Sequence, residues 1–254
     1  SCIGKGTQII PLCIPVGNTV KYMQRFRITS GIDIIGRRTE FQRILILILV
    51  LLILLHIIQS NIPQEANMNL FDLTNLTPGI GVFGLSFIAL FAAMLISKDR
   101  TTSLMLRLFA SPLRGWQFIL GYLLPLVPMS VAQLLVCFAA ALALGMGFTW
   151  NIFLCILVCI PIAVLHMALG FLCGSLLSDK AVGGVCGALL TNFSAWLSGT
   201  WFSLDLVGGA FKKIAYILPF ANAVDAGRAA LAGEMSSIFP KLWIVIAWAV
   251  GTLL

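Results

Sequence analysis

The stretch Asp99-Arg100-Thr101-Thr102-Ser103-Leu104-Met105-Leu106-Arg107-Leu108-Phe109-Ala110-Ser111-Pro112-Leu113-Arg114 decides how this chain is built. It is short, basic and amphipathic. It stands between two apolar runs, residues 78–97 and 118–144, each long enough at ~1.5 Å per residue to cross a bilayer core of ~30 Å. Ionised side chains are costly in hydrocarbon. The segment must therefore lie on a membrane face, where a partner can grip it.

The rest of the chain agrees. Of its 254 residues 60% are hydrophobic and only 10% charged, with mean hydropathy +1.04; soluble chains are about a quarter charged. The apolar runs are continuous rather than alternating, which excludes a transmembrane barrel. They predict an all-α membrane protein with six spans, at 41–58, 78–97, 118–144, 152–177, 181–202 and one starting near Lys241 and cut off at the end of the chain. Pro78 fits the first turn of its helix, where N–H groups are spare, and Pro125 and Pro128 should kink theirs.

Charge placement sets the orientation. Lys5, Lys21, Arg25, Arg27, Arg37, Arg38, Arg43, Lys98, Arg100, Arg107, Arg114 and Lys180 fall on one side, twelve of the sixteen basic residues. Positive loops stay cytoplasmic, so both termini are expected inside. The basic balance implies anionic lipid headgroups and not nucleic acid. Residues 1–40 read as a cytoplasmic or interfacial segment and 41–254 as the transmembrane domain. Residues 1–20 lack the zones of a signal peptide. The chain starts without Met and stops at Leu254 inside an apolar run, so both ends read as incomplete, with the last helix truncated.

Little in the sequence points to chemistry. Gly4-Lys5-Gly6-Thr7 fails as a phosphate loop, having no Gly five residues before the Lys and no Ser or Thr directly after it. Cys155 and Cys159 read as packing residues, because nothing joins them at metal-ligand spacing. His166 reads as a core histidine bonded to a nearby carbonyl. Gly170 with Gly174, and Gly183 with Gly187, are spaced for close helix approach and are expected to hold spans four and five together. No metal, cofactor or catalytic residue is expected. Residues 211–228 have helical spacing but too much charge to span, and read as short helices tucked into the outer leaflet. Asp225 and Arg228 are placed to pair on one face.

With these residues in view, the chain resembles the membrane permease subunit of ABC-2 type exporters. That family carries between spans two and three a pattern like Glu-Arg-Glu-Ser-Gly-x-x-Asp-Arg-Leu-x-x-Ser-Pro-Leu, to which residues 99–113 correspond, followed here by Trp116-Gln117-Phe118-Ile119-Leu120-Gly121. Ser198-Gly199-Thr200-Trp201-Phe202, Ile217-Leu218-Pro219-Phe220 and Asp225-Ala226-Gly227-Arg228 are similar to a second family pattern. Ser103 and Leu106 depart from the first, standing where a Gly and an acid are usual. The first 40 residues match nothing in it.

The resemblance implies a multi-pass protein of the bacterial plasma (inner) membrane, itself not an enzyme, that pairs with a second permease subunit as homo- or heterodimer and with an ATP-binding cassette subunit. A short cytoplasmic coupling helix would join spans two and three, with Asp99, Arg100, Arg107, Ser111, Pro112 and Arg114 coupling to the ATP-binding subunit. Short re-entrant helices between spans five and six would form an outer gate with Pro219, Asn222, Asp225 and Arg228. The implied cargo is hydrophobic or lipid-like: a drug, a lipid or a lipid-linked glycan. The alternative is a six-helix channel or secondary transporter not driven by ATP. It calls for buried charge or a polar pore lining, and the centres of the apolar runs carry no Asp, Glu, Lys or Arg.

Overall fold

The computed structural model describes residues 38–61, 72–101 and 115–253. Every regular element among them is helical: α1 (Arg38–Asn61), α2 (Leu73–Arg100), α3 (Gly115–Ala143), α4 (Asn151–Leu176), α5 (Asp179–Gly184), a π turn (Val185–Leu190), α6 (Thr191–Leu197), α7 (Leu204–Val207), α8 (Gly209–Ile217), α9 (Pro219–Ala232) and α10 (Met235–Leu253). Residues 1–37 and the expected coupling helix, with Arg107, Ser111, Pro112 and Arg114, lie outside the described residues.

Four helices, α2, α3, α4 and α10, have the length and apolarity to cross a membrane. The other two expected spans take different forms. In α1 the apolar stretch Gln42–Ile58 is shorter. Residues 179–197 are helical throughout but divided by the π turn. The side chains of Thr191 and Asn192 donate to the carbonyls of Gly187 and Ala188 within that turn.

Helix α2 is the centre of the bundle, and small residues make that possible. It runs parallel to α4, and the two backbones touch. A Cβ at Gly170 would fall on the carbonyl of Ala89, and one at Gly174 would lie 2.5 Å from the Ala93 oxygen. Gly170 and Gly174 therefore hold span four to span two, not to span five as their spacing predicts. The second pair does little of this kind: Gly183 has nothing within 4 Å, and Gly187 meets only the Leu90 side chain. Spacing reveals a flat helix face but not which helix will use it.

The remaining helices coat this pair. Helix α1 lays Ile48, Leu52 and Leu55 on Leu76, Ile80 and Cys137, while Ile46, Leu47, Val50 and Leu54 face outward. Helix α3 is continuous through Pro125 and Pro128. Helix α10 buries Ile238, Val245 and Ala249 and leaves Phe239 and Trp243 largely uncovered by protein. Apolar outward faces of this kind belong in lipid or against another apolar surface.

Three boundaries differ from expectation. Helix α2 starts at Leu73, so Pro78 sits in its second turn and removes a ladder hydrogen bond there. The helix expected over 181–202 ends at Leu197. Ser198 and Thr200 bond to each other across a turn in which Gly199 has φ +68°. Helix α10 starts at Met235, not Lys241, because Gly233 at φ +80° closes α9 and releases the chain into a new helix.

Candidate functional site

Helix α2 carries a polar cluster at each end. At ~1.5 Å per residue its Asn75 and Arg100 lie roughly 37 Å apart, about the full depth of a bilayer with its headgroups.

The first cluster is built on α9, which lies across the starts of α2 and α4. Gly227 makes this approach possible: its carbonyl accepts from Cys155 Sγ at 3.3 Å, and its missing Cβ faces Pro78 at 3.3 Å. Asn151 Nδ2 donates to the Leu231 carbonyl at 3.1 Å and holds the far end of α9. Pro219 opens the helix as its first residue, where its absent N–H costs nothing. Asn222, buried, donates from Nδ2 to the carbonyls of Tyr216 at 2.8 Å and Leu218 at 3.1 Å, closing the exposed end of α8.

Asp225 and Arg228 meet as expected, with 3.9 Å between Nη1 and Oδ1. That is a loose pair, and each residue has closer partners. Asp225 Oδ2 accepts from Lys241 Nζ at 3.3 Å and from the Tyr216 hydroxyl at 3.1 Å. Arg228 donates from Nε to the Asn75 carbonyl and from Nη2 to the Gly199 carbonyl, both at 3.1 Å. Arg228 thus ties α9 to the start of α2 and to the turn after α6. Burial lowers its pKa, opposed by the charge of Asp225. Burial first, and the Asp225 carboxylate second, push the Tyr216 phenol up to about 12, so it stays a donor at any physiological pH.

The second cluster closes the other end. Arg100, the last residue of α2, donates from Nη1 to the carbonyls of Gly174 at 3.1 Å, Ser175, and Leu177 at 3.4 Å. These groups lie at the C-terminal end of α4, where carbonyls have no partner in their own helix and carry a partial negative charge. The Tyr122 hydroxyl of α3 donates to Asp99 Oδ2 at 2.6 Å. Ser97 Oγ donates to Asp179 Oδ1 at 3.1 Å, joining α2 to the first residue of α5. Asp99 and Arg100 therefore have partners inside the chain.

Sequence reading missed Tyr216 and Lys241 in the first cluster, and Tyr122, Ser97 and Asp179 in the second. Tyr122 was open to detection: a phenol in an aliphatic run needs a partner for its hydroxyl. Between the clusters His166 behaves as expected, with Nδ1 2.9 Å from the Ile162 carbonyl.

A bundle of long apolar helices with polar groups gathered at its two ends defines a multi-pass membrane protein. The chain belongs to the ABC-2 family: the family model described as ABC-2 family transporter protein matches residues 55–254, well over half of its length. It is thus a transmembrane transporter component. The membrane components of this family are in general not catalytic and associate with an ATP-binding subunit. No curated protein and no solved structure gives a significant match to the chain.

Proposed function

We propose that this chain is the permease of an ATP-driven exporter in the bacterial plasma membrane, moving a hydrophobic or lipid-like molecule outward. It crosses the membrane six times, through α1, α2, α3, α4, the helix of residues 179–197 and α10. A helix of nineteen residues reaches ~28 Å, enough for a bilayer core. The end bearing Lys98, Arg100 and Lys180 faces the cytoplasm with both termini, in keeping with the positive-inside bias. The α9 end faces out, where Pro219, Asn222, Asp225 and Arg228 form the gate. Two permease chains, identical or homologous, stand over two ATP-binding subunits. These subunits dock on the segment between α2 and α3, using Arg107, Ser111, Pro112 and Arg114, with Asp99 and Arg100 taking part in coupling.

The observation that carries this reading is the family match from residue 55 to residue 254. It is supported by helix centres free of Asp, Glu, Lys and Arg, which leave a coupling ion no charged site. The test is affinity purification of the tagged chain in mild detergent from its own cells. A co-purifying protein with a phosphate-binding loop, and ATP hydrolysis by the pair but not by this chain alone, is the expected result. Nucleotide binding by the isolated chain, or transport unaffected when that partner is removed, would overturn it.

A further inference from the structure

We propose that Asp99 and Arg100 are positioning residues: they carry load from the α2–α3 junction into the end of α4 and the π turn Val185–Leu190, instead of contacting the ATP-binding subunit. The inference rests on the ATP-driven reading above and concerns how its force enters the bundle.

Three fastenings sit within four residues of α2. Asp99, through Tyr122, ties the end of α2 to the early turns of α3, so the two sides of the junction move together. Arg100 caps α4 from another helix, by donating to two of its terminal carbonyls, those of Gly174 and Ser175, and to that of Leu177 just beyond. Ser97 reaches the first residue of α5 through Asp179. A push on the junction therefore reaches the α4–α5 link directly.

What lies just past that link is the one irregular turn described in a long helix. A π turn holds its residues in a wider register, and converting it to α geometry rotates everything beyond it. Here the last turns of α4 touch it directly: Cys173 packs against the cluster of Cys186, Ala93 and Val182. Beyond it, α6 leads to Gly199, whose carbonyl takes the Arg228 guanidinium of the α9 cluster. The helix of residues 179–197 thus links the two ends, with its adjustable element near the Arg100 end.

Native Cys173, half-exposed beside the Arg100 acceptors, is the reporter. The complex with its ATP-binding subunit, in lipid nanodiscs, is treated with N-ethylmaleimide with and without ATP plus vanadate. Alkylation at each cysteine is then read by mass spectrometry. In the natural sequence, vanadate trapping should change the Cys173 rate at least about threefold, the signature of a shifted two-state element. Arg100→Ala should abolish that change while retaining the ATP-binding subunit at the natural ratio, and Arg100→Lys should restore part of it. Tyr122→Phe, which keeps every charge and is the gentler variant, should blunt it. A nucleotide response undiminished in Arg100→Ala and Tyr122→Phe, or absent in the natural sequence, overturns the proposal. So does loss of the ATP-binding subunit from a monodisperse Arg100→Ala protein, which makes Arg100 a docking contact. Failure of the natural chain to bring down any ATP-binding subunit is a different result, and refutes the ATP-driven reading itself.

Discussion

Gly170 of α4 leaves no space between its Cα and the backbone of α2: a Cβ there would sit on the carbonyl oxygen of Ala89. The contact is backbone against backbone, so no flexible side chain can move aside. Gly170→Ala is expected to cost about 3 kcal/mol, at the upper end of overpacking penalties. Gly183→Ala, in open space on a helix, should be neutral or stabilising by a few tenths of a kcal/mol. Thermal unfolding of the two variants in the same detergent checks this. Equal stabilities would mean that α2 and α4 are not in contact there.

Gln133 and Gly84 form a second such pair. The Gln133 amide occupies the place where a Gly84 side chain would be, with Ile48 Cδ1 alongside. Gly84→Ala should cost about 2 kcal/mol, and markedly less in a Gln133→Ala background, because neighbours in contact do not act additively. Neither polar atom of this buried amide has a hydrogen-bond partner among the described residues. Gln133→Met, close in volume and free of that burden, should raise stability by about 1 kcal/mol. A loss of stability in Gln133→Met would show that the amide is bonded in the folded protein.

Asp225 should couple more strongly to Lys241 than to Arg228. The Lys241 ammonium is at 3.3 Å and Arg228 at 3.9 Å, and Arg228 keeps two carbonyl acceptors when the carboxylate is removed. Asp225→Ala is expected to cost about 1–3 kcal/mol, the penalty for stranding a partner, moderated because these side chains are about a fifth to a third exposed. Double-mutant cycles read from denaturant titration should give the larger coupling for Asp225 with Lys241. The reverse order would assign the carboxylate chiefly to Arg228.

Tyr216 makes a pH prediction with a definite sign. Its pKa rises from the ordinary 10.0 to about 12 on folding, so its contribution is fully present below pH ~10 and is lost as pH climbs through the folded value. Stability should be indifferent to this group between pH 6 and 9 (roughly the physiological range). Phenolate absorbance should show late titration to which Tyr216 contributes, and Tyr216→Phe should remove that contribution. A Tyr216→Phe titration with the late step intact would assign it to another phenol.

By itself the sequence determined the membrane class, the existence and approximate limits of α2, α3 and α4, and the helical nature of residues 211–228. Bilayer thickness demands about twenty apolar residues in a row, and a charge-bearing stretch such as residues 99–114 cannot belong to them. The pairing of Asp225 with Arg228 was legible for a similar reason, since residues three apart share a helix face. Tertiary structure alone decided which helix Gly170 and Gly174 face, that Asp99 and Arg100 turn inward to Tyr122 and the end of α4, and that Lys241 is the nearer cation to Asp225. It also decided the π turn and the early start of α10. These features depend on contacts between residues tens of positions apart, such as the 74 residues separating Arg100 from Gly174. Local periodicity carries no record of such distances: it shows which face of a helix is flat or polar, and the packing of the whole bundle selects what meets that face.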